Sequence, residues 1–482
     1  MNGKDFIKVI SPFFLIILFI SKIVVLSGCA NIIPPTGGPR DSLPPVLVKV
    51  TPADSSKGFN SKKIVFTFDE FIDQPQDIFR NLIISPNYSA LPAVESKLRT
   101  LTVKLKDTLE PNTTYYLNFG EAIKDVNEGN ILHNFSYLFT TGNALDTLQL
   151  GGKVILAQTG GIDTTLIVML HRRAEDSAII KDPPRYITKL DGKGNFLFRY
   201  LPAGLYSIYA LKDERGRYSN KDLFAFADSA VVIKPGTPPV TLYAFVENQP
   251  PPGGATINFT GNKGTGTRPD DRRLKFTTNL SGNLQDLLND FSLSFDQPLK
   301  NIDTTKLQLS TDSTFIPAQS SWQIDSLKKK LTLKATWKEN TLYNLILDRD
   351  FAEDTVGRKL LKTDTLHFTT KKQSDYGSLK VSFTNIDLSQ DPVLQFSQNG
   401  QVIKTFTLTS NAIYQALFTP GEYDLSILFD KNKNGKWDPG QFFGARRQPE
   451  LVRPLNKKIS VRPNWDNEYE ITSPSNSPNR GE

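Results

Sequence analysis

The chain repeats itself, and that constrains its fold more than any other feature. Phe68-Asp69 returns as Phe295-Asp296, and Asn112-Thr113-Thr114-Tyr115 as Asn340-Thr341-Leu342-Tyr343. The loop Asp125-Val126-Asn127-Glu128-Gly129 returns, one residue shorter, as Asp354-Thr355-Val356-Gly357, and Phe139-Thr140-Thr141 as Phe368-Thr369-Thr370. The offsets are 227, 228, 229 and 229, so few insertions separate the copies. A second motif follows each copy. Leu201-Pro202-Ala203-Gly204-Leu205-Tyr206 leads into a strand and then Asp213; Phe418-Thr419-Pro420-Gly421-Glu422-Tyr423 leads into a strand and then Asp430. The order is therefore A–B–A′–B′.

Each unit reads as strands. Ile64, Phe66 and Phe68 alternate with Val65 and Thr67; Leu101, Val103 and Leu105 with Thr102 and Lys104; Phe291, Leu293 and Phe295 with Ser292 and Ser294; Leu331, Leu333, Ala335 and Trp337 with Thr332, Lys334 and Thr336. Period two places one face in a core and leaves the other outside, as in a two-layer β-sandwich. Turn signals recur at Asp191-Gly192, Asn399-Gly400 and Asn434-Gly435. Helical spacing is scarce, with at best one short helix over Gly282–Asp290. The expected class is all-β, in sandwiches at 43–142, 146–247, 273–371 and 376–472. Between the halves, the Pro/Gly-rich 248–272 is the expected hinge. A disordered tail is expected over 473–482.

The first residues read as an address. Lys4 and Lys8 precede an apolar run from Val9 to Leu26, which ends in Leu26-Ser27-Gly28-Cys29. Small residues before a lone Cys, after an apolar core, suit export and cleavage. The alternative reading is an uncleaved anchor helix, which Lys22 would interrupt. The string resembles a bacterial lipoprotein lipobox. That resemblance implies cleavage between Gly28 and Cys29, a signal peptide over 1–28 and acyl chains such as palmitate on Cys29. Five prolines and two glycines follow in 31–45, so 29–42 reads as a tether. By analogy with Gram-negative lipoproteins, Ala30 in place of Asp implies the outer membrane. The absence of an acidic run after Cys29 implies its periplasmic face.

Composition narrows the function. The net charge of +7 falls to +5 without residues 1–28, which hold three Lys and one Asp. Spread over such a chain, this does not support nucleic-acid binding. One Cys and three His, at His133, His171 and His367, do not make a zinc centre. No Gly-x-Ser-x-Gly, His-Glu-x-x-His or P-loop order is present; Gly261–Thr267 is Gly-rich linker.

The A units resemble a family. Pro44-Pro45-Val46, Thr51-Pro52, Phe66–Asp69, Asn112–Tyr116, the Asp125–Asn130 loop and the closing Phe-Thr-Thr look like the bacterial Ig-like domain of S-layer proteins. The second copy lacks the Pro-Pro start. The B units, with Gly194 and Phe196 and then Leu-x-x-Gly-x-Tyr, resemble prealbumin-like modules. With the lipobox, the whole resembles Ig-like-domain lipoproteins of Bacteroidetes-type bacteria. The resemblance implies anchorage and interaction and does not imply catalysis. The expected role is a non-enzymatic interaction or scaffolding module of the envelope with a protein partner, an accessory subunit of an outer-membrane machine being one form of it. The other reading is a carbohydrate- or peptidoglycan-binding lipoprotein, which would need an exposed aromatic platform.

One loop carries a ligand-like pattern. Asp430, Asn432, Asn434 and Asp438 place oxygen side chains at positions 1, 3, 5 and 9, Gly435 stands at 6, and Lys436 offers a carbonyl at 7. This fits a calcium loop, except that Gln441 replaces the bidentate Glu at position 12. Weak calcium binding and a hairpin held by Asx-turns alone both stay open. Asp69 and Glu70, adjacent on a strand, face opposite ways and read as a strand-end turn. Arg268, Arg272, Arg273 and Lys275 form a small basic cluster, either a solvated linker end or a contact for phosphate or an acidic partner.

Overall fold

A computed structural model describes residues 40–473 except 75–77, 174, 213–216, 249–272 and 312–313. The lipobox at Leu26–Cys29 with the rest of 1–39, the linker, most of the Asp213 loop and the tail beyond 473 lie outside the described residues. The described residues are almost entirely β-strands and their turns, arranged as a series of packed sheets. Among the described residues, no helix is long and apolar enough to cross a membrane.

The A unit stacks two antiparallel sheets. One has the order Leu47–Thr51, Lys63–Phe68, Thr100–Lys104, Ala93–Lys97; the other Ile83–Ser85, Thr114–Gly120, Phe135–Thr140. The alternating residues Ile64, Phe66, Phe68, Leu101 and Val103 meet Tyr115, Leu117, Phe119, Tyr137 and Phe139 in one core. Phe66 makes edge contacts with Phe119 and Tyr137 at 5.5 and 5.4 Å. The A′ unit repeats this with Phe291, Leu293, Leu331 and Leu333 against Tyr343, Leu345 and Phe368.

The repeated motifs are repeated backbone chemistry. Asn112 and Asn340 sit at φ +50 and +47, a left-handed turn that Asn tolerates. Three residues on, the Tyr115 hydroxyl accepts from Glu110 N at 2.8 Å and the Tyr343 hydroxyl from Lys338 N at 3.1 Å. The last Thr of each Phe-Thr-Thr motif hooks the same turn: Thr141 Oγ1 donates to Glu110 O, and Thr370 Oγ1 to Lys338 O. In the B units, Tyr206 and Tyr423 donate to the carbonyls of Pro202 and Thr419, four residues back. Each hook ties a strand to the turn that enters it.

The B unit is an eight-stranded sheet folded on itself, with Leu150, Val154, Val168, Leu170, Ile208 and Leu242 inside. The B′ unit has two sheets, of three and four strands, around Leu379, Val381, Leu394, Phe396, Leu425 and Ile459. In both, the first and last strands pair in parallel: Leu148–Leu156 with Val240–Val246, and Gly377–Thr384 with Asp466–Thr472. The Asn399-Gly400 hairpin has both residues at positive φ, the two-residue turn its sequence calls for.

Two expectations need correction. Gly282–Asp290 is not helical. It carries the short strand Leu284–Gln285, and the buried Gln285 amide donates to Asp286 O and Asn289 O. The chain also does not divide into halves at the linker. One compact unit ends at Leu145; the other begins at Asp146, takes in Ser85–Asn87, and holds B, A′ and B′ together. The physical reason is a core that B and B′ share.

Candidate functional site: an Asp-Asn loop that continues into a plug

The motif at Asp430 leaves the strand Gly421–Phe429, and its side chains fold inward. Buried Asp430 accepts from Asn434 N at 3.2 Å and Gly435 N at 2.6 Å. Asn432 Oδ1 accepts from Asn434 N, and Asn434 Oδ1 from Lys436 N. These are successive Asx-turns, and Gly435 at φ +76 permits the reversal. The amides of Asn432 and Asn434 both donate to Asp438 Oδ2, at 2.7 and 2.6 Å. The motif residues thus do come together, with Lys436 contributing its N–H.

One residue absent from the motif completes the loop. Glu450, buried, accepts from Lys431 N at 2.8 Å and from Asp438 N at 3.1 Å. Burial raises its pKa, Asp430 and Asp438 add to the rise, and the two N–H bonds oppose it. Glu450 lies just before the strand Leu451–Val461, twenty residues after Asp430, where no loop motif would look for it. Its only local signal is a carboxylate at the start of a strand.

The donor set decides how the loop is held. Both oxygens of Asp430 and of Glu450 are engaged by N–H groups, and two amide NH₂ groups face Asp438. No group of three or more His, Cys, Asp or Glu among the described residues is arranged to hold a metal. In this structure the carboxylates of the loop are engaged by hydrogen bonds. Melting in millimolar calcium and in chelator is therefore expected to coincide. Asp430→Ala is expected to cost about 1–3 kcal/mol in both, because it leaves two part-buried N–H groups without their carboxylate. A calcium-dependent rise in melting, removed by Asp430→Ala, would show instead that the two amides turn to present their oxygens to an ion.

Beyond Asp438 the chain makes an excursion. Its base is closed by Glu450 N donating to Asp438 O, and by a reciprocal pair between Gln441 and Arg447, each bond 2.7 Å. Its tip enters the outer face of the B sheet. Phe442, fully buried, contacts Tyr209, Phe224 and Phe226 at ring separations of 5.6, 5.0 and 5.0 Å. With Ile167, Met169, Leu211 and Phe245 it forms one cluster. Arg446 pairs with Asp176, donates to Ala227 O and Asp228 O, and lies over the Phe226 ring. A Cβ on Gly440 would meet the Phe245 ring at 2.6 Å, so only glycine allows this approach. Val452 N donates to Ala157 O at 2.8 Å, continuing the seam. Trp437 donates from Nε1 to Glu450 O and packs on this cluster, so the Asp-Asn loop and the plug are one device.

The other candidates stay apart. His133 is exposed beside Glu121, and His367 Nδ1 lies 2.6 Å from Asn344 Oδ1. His171 is buried, and burial pushes its pKa down to about 4, with Asp182 opposing. Asp69 accepts from Val46 N, a strand-end role. Asp125 is buried and accepts from Glu128 N, Gly129 N and Asn130 N, which close its loop. Three of the four Trp belong to cores or their margins, and exposed Trp465 has Arg462 over its ring.

Residues 41–141 match the family model described as a bacterial Ig-like domain. No curated protein matches the chain. Solved structures align only loosely. The Bacillus anthracis TIE protein aligns over 91% of this chain and 75% of its own, at 10% identity and a TM-score of 0.17. The N-terminal part of the bacterial S-layer protein SbsC aligns over 42% and 44%, at 18% identity and 0.16. BcpA, the major pilin subunit of Bacillus cereus, aligns over 67% and 98%, at 9% identity and 0.15. The chain is thus an all-β protein whose first unit, residues 41–141, is similar to the bacterial Ig-like domain.

Proposed function

We propose that the chain is a non-enzymatic module of the bacterial cell envelope, lipid-anchored at Cys29 to the outer membrane and facing the periplasm. It holds a protein partner as a scaffold. The observation that carries this reading is one of order: Leu26-Ser27-Gly28-Cys29, a Pro/Gly-rich tether, and then at once the stretch similar to a bacterial Ig-like domain. The side chains inside the sandwiches support it. The buried carboxylates, Asp125, Asp354, Asp430 and Glu450, are engaged by backbone N–H groups that close loops. The glycan reading finds less support, since Trp465 is the one exposed Trp and has Arg462 over its ring.

The test is Cys29→Ser. Wild-type protein is expected with a lipid mass on Cys29 and without 1–28, and the variant with no lipid mass and with 1–28 retained. An unlipidated wild-type Cys29 would end the anchoring proposal. Capture of a reproducible partner from detergent-solubilised membranes by the wild type would bear on the scaffold.

A further inference from the structure

The described chain starts at one end of the A unit, and that end is unusual. Arg40 donates to Glu128 O, Asn130 Nδ2 donates to Asp41 O, and Val46 N donates to Asp69. The entering segment is thus stitched to the 125–130 loop and to the end of strand Lys63–Phe68. The same end exposes apolar side chains. Leu98 at the tip of the Ala93–Lys97 and Thr100–Lys104 hairpin is 67% exposed, Val126 54% and Phe71 44%. Backbone bonds hold them as neighbours: Ile72 N donates to Leu98 O at 2.9 Å, and Val126 N to Phe71 O at 3.0 Å. Leu43 and Val46, on the entering segment, are exposed too. The hairpin tip holds the apolar group between cations, Lys97 and Arg99, and Arg99 lies over the Phe71 ring at 5.4 Å. Around it stand Asp41, Asp69, Glu70 and Glu128; burial and these neighbours raise the Glu70 pKa.

We infer that this end of the A unit rests on a zwitterionic lipid surface. The inference builds on the lipid anchor proposed above. Eleven residues link Cys29 to Arg40, a reach of at most about 36–40 Å when fully extended. The end from which the tether leaves is therefore the end kept nearest the bilayer. Leu98 and Phe71 supply the apolar contact, and Lys97 and Arg99 can lie along it with their charges in the headgroup layer. The ring of carboxylates opposes a strongly anionic leaflet. Beside the two cations, it matches a surface that offers both phosphate and ammonium, as phosphatidylethanolamine does.

The test uses the full lipidated chain. Its one cysteine is consumed by the lipid, so Leu98→Cys provides a single thiol for a nitrobenzoxadiazole label. Lys62→Cys, beyond the far end of strand Lys63–Phe68 and roughly 20 Å away at about 3.3 Å per residue, is the control. In vesicles of phosphatidylethanolamine and phosphatidylcholine, the label at 98 is expected to shift to the blue and to lose intensity with doxyl-labelled lipid. The label at 62 is expected to do neither. Protein that floats with the vesicles but shows equal, unquenched labels overturns the contact and leaves the anchor standing. Protein that does not float, with no lipid mass on Cys29, overturns the anchor itself. A rise in quenching as anionic lipid is added would overturn the zwitterionic assignment.

Discussion

Phe442→Ala is expected to cost about 3–5 kcal/mol, the range for removing a fully buried aromatic ring. The loss should fall on two units at once. Phe442 belongs to the B′ chain segment, yet its neighbours Tyr209, Phe224, Phe226 and Phe245 belong to B. Proteolysis within 249–272 separates the two units covalently and tests this directly. After the cut, wild-type fragments are expected to co-elute, held by Phe442, by Arg446 with Asp176, and by Val452 with Ala157. The same cut in Phe442→Ala is expected to release two fragments. Wild-type fragments that part freely would show that the shared core contributes little.

Asp354→Ala is expected to be the most costly of the loop substitutions, at about 3–5 kcal/mol. Asp354 is buried in A′ and accepts from Val356 N, Arg358 N and Arg358 Nε. Burial raises its pKa, but those bonds and the guanidinium outweigh burial and hold it below the ordinary carboxylate range. Removing it strands a partly buried cation as well as two N–H groups. Its counterpart Asp125 serves backbone N–H groups alone, so Asp125→Ala is expected to cost only about 1–3 kcal/mol. The sign of the pH effect follows. A carboxyl whose folded pKa is depressed stabilises fully above its unfolded value, near 4, and that stability is lost as pH falls through the folded value. Wild-type A′ should therefore weaken more on acidification than Asp354→Ala. Chemical denaturation of the pair at neutral and acid pH checks both the order and the slope.

The sequence disclosed what local chemistry had written into it. Asn112 and Asn340 were legible because a left-handed turn restricts which residues serve. Tyr115, Tyr343, Tyr206 and Tyr423 were legible because each bonds a backbone group four or five residues away. The loop at Asp430 was legible for the same reason. Glu450 was not, because its partners lie across the sheet rather than along the chain. The plug was hidden for a related reason: Phe442 and its neighbours Tyr209, Phe224 and Phe226 in B are more than two hundred residues apart in sequence. A signal did exist on the receiving side. All five residues of Ile167–His171 are buried, and Leu223–Phe226 reads Leu-Phe-Ala-Phe. A strand apolar on both faces announces that both faces are covered, and here the second cover is a distant part of the chain.

The parallel pairing of first and last strands bears on how such a chain answers tension. When the ends of the B′ unit are pulled apart, Gly377–Thr384 and Asp466–Thr472 slide along each other. Their ladder runs in register from Ser378 with Asp466 to Thr384 with Thr472, and its bonds are loaded side by side in shear. The B unit meets the same pull through Gly152 with Val240 to Leu156 with Ala244. A hairpin pulled at its open end unzips one bond at a time, whereas these ladders must yield together. On the anchoring and partner proposed above, load along the chain would meet these ladders, and resistance is then the rate at which a ladder gives way rather than its equilibrium stability.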